Sequence, residues 1–109
     1  MTQVTIRKNA AGEITGFTVQ GHVDFRLEGN DVLCAAVSTL VSHTIGMICE
    51  FTDDACENTV DEEKPEVVFN LTAESPSRES RVALNSFESS IYDLAEAHPD
   101  KISLVYEEV

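Results

Sequence analysis

Hydrophobic and polar positions alternate near the start of the chain: Val4 and Ile6 have polar neighbours, KNAAGE (residues 8–13) has turn composition, and Ile14 with Phe17–Val19 resumes the extended pattern. This predicts a hairpin of two strands. From Gly21 to Asp31 no period is sustained, and the glycines and the Asn30-Asp31 pair mark a loop ending in helix-capping residues. Leu33, Val37, Leu40, Ile45 and Ile48 then recur near helical spacing, predicting a helix from Val32 to about Ile48 capped by Asn30 or Asp31. EVVFNLTA (residues 66–73) is rich in β-branched and aromatic residues, and a weaker strand around Cys56–Val60 makes it a second hairpin. SPSRES (residues 75–80) supplies a turn and an N-cap. Val82, Leu84, Phe87, Ile91, Leu94 and Ala95 follow as a helical stripe that stops at HPD (residues 98–100). KISLVYEEV completes the order ββαββαβ, an α+β fold with an antiparallel sheet and both helices on one face.

With 109 residues, 42% of them hydrophobic, the chain suffices for one compact domain, residues 1–109, with a modest core. No internal repeat or linker interrupts it. The net charge of −13, with acids concentrated between Glu50 and Glu66, repels phosphate backbones and favours basic partners, although its ordinary role is solubility. Direct nucleic-acid binding is therefore not expected. The first residues lack the basic segment and apolar run of a signal peptide, and no stretch is expected to reach the roughly 18 apolar residues of a membrane span. The expectation is a soluble, intracellular protein without a membrane partner. An odd set of three cysteines, Cys34, Cys49 and Cys56, argues for reduced thiols rather than a disulfide framework.

Cys34 falls in the first turn of the predicted helix, where unpaired amides and the positive end of the macrodipole favour a thiolate. Ala35 and Ala36 add little bulk beside the sulfur, leaving room for a substrate backbone. The competing reading makes Cys34 a small hydrophobe of the core. His22, after Gly21 at the end of the second strand, is the better general base. His43 lies about 13.5 Å along the same helix, and His98 belongs to the end of the second helix, beside Pro99. Asp31 is either an N-cap or a third group orienting the imidazole. Ser38, four residues after Cys34, shares its helix face and either supports the site or bonds back to a helix carbonyl. Cys49 and Cys56 lack the close pairing of zinc ligands, so no metal is expected. A redox sensor built on Cys34 would lack a resolving partner, because Cys49 is about 22 Å further along the helix.

The stretch GHVDFRLEGNDVLCAAVS (residues 21–38) resembles the motif of the ribosomal-processing cysteine proteases. Their pattern is Gly-His, a Gly-containing loop, Asp, two apolar residues, Cys-Ala and a nearby Ser. Gly21, His22, Gly29, Asp31, Cys34, Ala35 and Ser38 match it, while Val23 stands where a small residue is expected. The resemblance implies a cytoplasmic cysteine endopeptidase, commonly a homodimer, with a His22/Cys34 dyad and no cofactor. Its substrate would be the N-terminal extension of a large-subunit ribosomal protein. The rival is a non-catalytic acidic binding module or ribosome-assembly adaptor. The loop from Val23 to Asn30, with Gly29 near its end and Phe25 and Leu27 able to cover apolar side chains, is expected to act as a substrate lid.

Overall fold

The structure, a computed structural model, describes residues 2–21, 32–61 and 63–109. Strands β1 (Thr2–Lys8) and β2 (Ile14–Gln20) form the expected hairpin. Its turn is held by Asn9, whose side-chain oxygen accepts from the amides of Ala11 and Glu13, and Gly12 supplies the positive φ of 80°. Helix α1 (Val32–Phe51) leads to β3 (Cys56–Asp61) and β4 (Glu66–Leu71), a second hairpin. Helix α2 (Arg78–Ala97) and β5 (Ile102–Glu108) complete the order ββαββαβ.

The five strands form one sheet in the order β3-β4-β2-β1-β5. Three of its four pairings are antiparallel, as expected, but β1 and β5 run parallel. The reason lies in the connection. A helix of 20 residues, about 30 Å long, carries the chain back along the sheet, so β5 runs in the same direction as β4 and hence as β1.

One face of the sheet carries the core. Val4 and Ile6 of β1 pair with Val19 and Phe17 of β2, which pair in turn with Val67 and Phe69 of β4, so all six side chains share that face and are buried. Phe17 stacks on Phe69 at 5.4 Å between ring centroids and on Phe87 of α2 at 4.3 Å. Val37, Val41 and Ile48 of α1 and Ala83, Leu84 and Ile91 of α2 close this core. Val82, expected on the buried stripe, is 53% exposed, and Ala83 takes the inward position. Contrary to expectation, α1 reaches the length and apolarity of a membrane span, since no charged residue precedes Glu50 within it. In this fold its stripe of Val37, Ser38, Val41, Thr44 and Ile48 is buried.

Arg7 faces the opposite side of the sheet. Its guanidinium donates to Asn70 Oδ1 at 3.0 Å, Thr18 Oγ1 at 2.7 Å and the carbonyls of Phe17 and Phe69 at 2.9 Å each. Gly16 leaves the space for this network. A Cβ there would stand 2.4 Å from the Phe69 carbonyl oxygen, 2.5 Å from Asn70 Oδ1 and 3.1 Å from Arg7 Nη2. The start of α2 is held by a second network. Ser77, its N-cap, accepts from the Ser80 amide, while the Asp54 carboxylate accepts from the Ser77 amide and from the hydroxyls of Ser77 and Ser80. These bonds, those from the serine hydroxyls first, hold the Asp54 carboxyl below its ordinary value.

Gly16→Ala is expected to destabilise the protein by about 1–3 kcal/mol in urea melts, because backbone rather than a flexible side chain must give way. A variant as stable as the wild type would refute the close approach. Because folding lowers the Asp54 pKa, its stabilising effect is present above the unfolded value of about 3.9 and is lost as pH falls through the lower folded value. Asp54→Asn should therefore lower the thermal midpoint near neutral pH, and the gap from wild type should narrow in acid. A gap independent of pH would show that the charge plays no part.

Candidate active site

The topology brings the end of β2 and the start of α1 to one end of the molecule. Gln20 pairs across β2 and β1 with Gln3, and β5 begins beside β1 with Ile102 opposite Thr2. The chain reaches Ile102 directly from the end of α2, where His98 is the C-cap and its carbonyl accepts from the amides of Lys101 and Ile102. The first half of α1 lies against the last half of α2: Val32, Ala35, Ala36, Thr39 and Leu40 face Ser90, Asp93 and Leu94 across an open groove of about 670 Å³. Cys34 therefore lies at the end of the sheet where β2 stops.

Gly21 redirects the chain there. It adopts φ 105°, a conformation that side chains with a Cβ rarely take, and its amide donates to the Pro65 carbonyl at 3.0 Å. The next ten residues, including His22, Phe25, Leu27, Gly29 and Asp31, lie outside the described residues, as does the expected lid.

Cys34 is the third residue of α1 and is partly buried. The first turn holds no acidic residue, so within it nothing offsets the attraction of the helix dipole for an anion. Cys34 shares the inward stripe with Val37, Ser38 and Val41, whereas Ala35 and Ala36 line the groove. Ser38, one turn on, is 8% exposed, and its Oγ has no hydrogen-bond partner among the described residues. It does not make the bond to a helix carbonyl that Thr39 and Thr44 make. His43 is exposed in the middle of α1.

One pair escaped the sequence reading. Cys49, near the end of α1, and Cys56, the first residue of β3, hold their sulfurs 3.8 Å apart. The seven-residue spacing resembles no known ligand or redox motif, and only the turn back from helix to strand joins them. Among the described residues no group of three or more His, Cys, Asp or Glu is placed to hold a metal ion.

The family model of the cysteine protease Prp matches residues 1–103. The chain belongs to that family. It is thus a cysteine protease rather than a non-catalytic binding module. The fold is similar to that of the essential ribosomal processing protease Prp of Staphylococcus aureus in two crystal structures. The complex with a covalently linked product peptide gives a TM-score of 0.86 at 22% identity, covering 98% of this chain and 100% of that one. The complex with a substrate peptide gives 0.85 at 21% identity, with the same coverage. SMU.848 from Streptococcus mutans gives 0.83 at 21% identity, covering 100% of this chain and 96% of that one. No curated protein matches the sequence.

Iodoacetamide near neutral pH should alkylate partly buried Cys34 faster than exposed Cys49, as followed by peptide mapping. Exposure alone gives the opposite order, so faster labelling of Cys49 would count against an activated Cys34.

Proposed function

We propose that this protease removes the N-terminal extension of a large-subunit ribosomal protein, using Cys34 as nucleophile and His22 as general acid and base. What carries the reading is Cys34 in an acid-free first helical turn, at the sheet end where Gly21 turns the chain into His22, within a chain of the Prp family. The Cys34 thiolate attacks the scissile carbonyl carbon, and the C–N bond breaks as His22 protonates the leaving amine. A water molecule deprotonated by His22 then cleaves the thioester and restores the thiol. Amides of the first turn of α1 are the candidate donors to the oxyanion.

Asp31 orients the His22 imidazole as well as capping the helix, and the hydroxyl of Ser38 supports the site from beneath the nucleophile. The groove beside Ala35 and Ala36 gives an extended peptide room to lie along α1, with Phe25 and Leu27 closing over it. A similar staphylococcal protein was crystallised with a substrate peptide, which supports a peptide substrate here. The exposed acids of this chain, Glu57, Asp61 and Glu63 among them, suit a basic ribosomal protein. The reading extends to a homodimer working in the cytoplasm, where the thiols stay reduced.

Cys34→Ala and His22→Ala should each lower kcat/KM on a peptide spanning the extension junction by at least about 10³-fold with the circular dichroism spectrum unchanged, because the two groups act as a unit. Wild-type turnover by either variant would rule out the dyad. Products whose masses place the cut outside the extension would rule out the substrate.

A further inference from the structure

The Cys49 and Cys56 sulfurs lie 3.8 Å apart and belong to two separately anchored elements. Cys49 is held by the last turns of α1. Cys56 opens β3 opposite Leu71, just after Ala55, whose carbonyl accepts from the amides of Thr72 and Ala73 at 2.8 and 3.0 Å. The connection between them also contains Asp54, fixed to the start of α2 through Ser77 and Ser80. The juxtaposition is therefore imposed by the fold. Cys49 is exposed and open to a small oxidant, while Cys56 is half-buried behind it. Cys34 is about 22 Å away along α1, beyond reach of either sulfur while the helix is intact.

We infer that Cys49 and Cys56 form a modification site, a dithiol that hydrogen peroxide converts to an intramolecular disulfide tying the end of α1 to the start of β3. The Cys49 sulfur attacks one peroxide oxygen; the S–O bond forms, the O–O bond breaks, and the departing oxygen takes up the thiol proton and leaves as water. The Cys56 sulfur then attacks the Cys49 sulfenic acid. The S–S bond forms, the S–O bond breaks, and a second water carries away the Cys56 proton. Two thiols have lost two electrons and peroxide has become two waters. Burial first, then contact with Cys49 and the charge of Asp54, push the Cys56 thiol up, so that exposed Cys49 is the sulfur that meets the oxidant first. Closing the bond needs the sulfurs to approach from 3.8 Å to about 2.0 Å, within reach of side-chain rotation at an exposed helix end.

The test uses the full-length Cys34→Ala variant, so that the active-site thiol takes no part and activity is not the readout. After exposure to hydrogen peroxide and then iodoacetamide, intact mass should show a monomer about 2 Da lighter than the reduced chain and carrying no alkyl group, with two thiols returned by dithiothreitol. In concentrated urea the disulfide should be reduced at equilibrium by at least about tenfold less dithiothreitol than in the folded protein, since the fold holds the sulfurs together. The oxidised protein should melt about 3 °C or more above the reduced one. Two alkylatable thiols after exposure, sulfinic or sulfonic products, or disulfide-linked dimers in place of the light monomer would overturn the site. An equal dithiothreitol requirement with and without urea would overturn the role of the fold, and an oxidised form melting no higher than the reduced would overturn the tie. In the wild type, a disulfide that includes Cys34 would show that the pair is not a separate site.

Discussion

Phe87 of α2 stacks on Phe17 of β2, and Phe17 stacks on Phe69 of β4. Rings in such contact add about 0.5–1.5 kcal/mol per pair beyond their burial, and each buried phenylalanine contributes about 1.5–3 kcal/mol. The position of this stack matters more than its size. Phe17 belongs to the middle strand of five, so α2 is seated over the centre of the sheet, and α1 is seated against α2. The strand that carries Phe17 is also the strand that ends at Gln20, just before Gly21.

Chemistry is placed where elements end. Gly21 follows a strand end, where a positive φ turns the chain, and Cys34 stands in the first turn of a helix, where the dipole favours an anion. Asp54, Ser77 and Ser80 show the same principle used for stability, with one carboxylate from the α1–β3 connection capping the start of α2. Within the acidic stretch, Asp54 is thus drawn into the fold, while Glu57, Asp61 and Glu63 remain at the surface. Arg7 and Gly16 act together on the helix-free face, where a missing Cβ lets a guanidinium reach sheet carbonyls.

The two ends of α1 carry different sulfur chemistry. At the first turn Cys34 meets the positive end of the dipole, and near the last turn Cys49 faces Cys56. Helix length keeps them apart. Fifteen residues of helix, about four turns, separate the two sulfurs along α1.

Sequence alone determined the elements and their order, because periods of two and 3.6 residues and runs of β-branched residues are local properties of the chain: the 4/6 alternation and the stripe of Leu84, Phe87 and Ile91 are buried as read. It also determined the candidate nucleophile, since a cysteine three residues after a capping pair is a local pattern. Strand direction was decided by the tertiary structure, for β5 pairs in parallel with β1 only once α2 has crossed the sheet. So was the choice between Val82 and Ala83, neighbours on a helix whose inward face depends on what it packs against. The Asp54 cap joined to Ser77 and Ser80 more than 20 residues away and the Cys49–Cys56 contact likewise exist only between elements. Spacing along a chain measures contour length, and these contacts are distances through space that only packing sets.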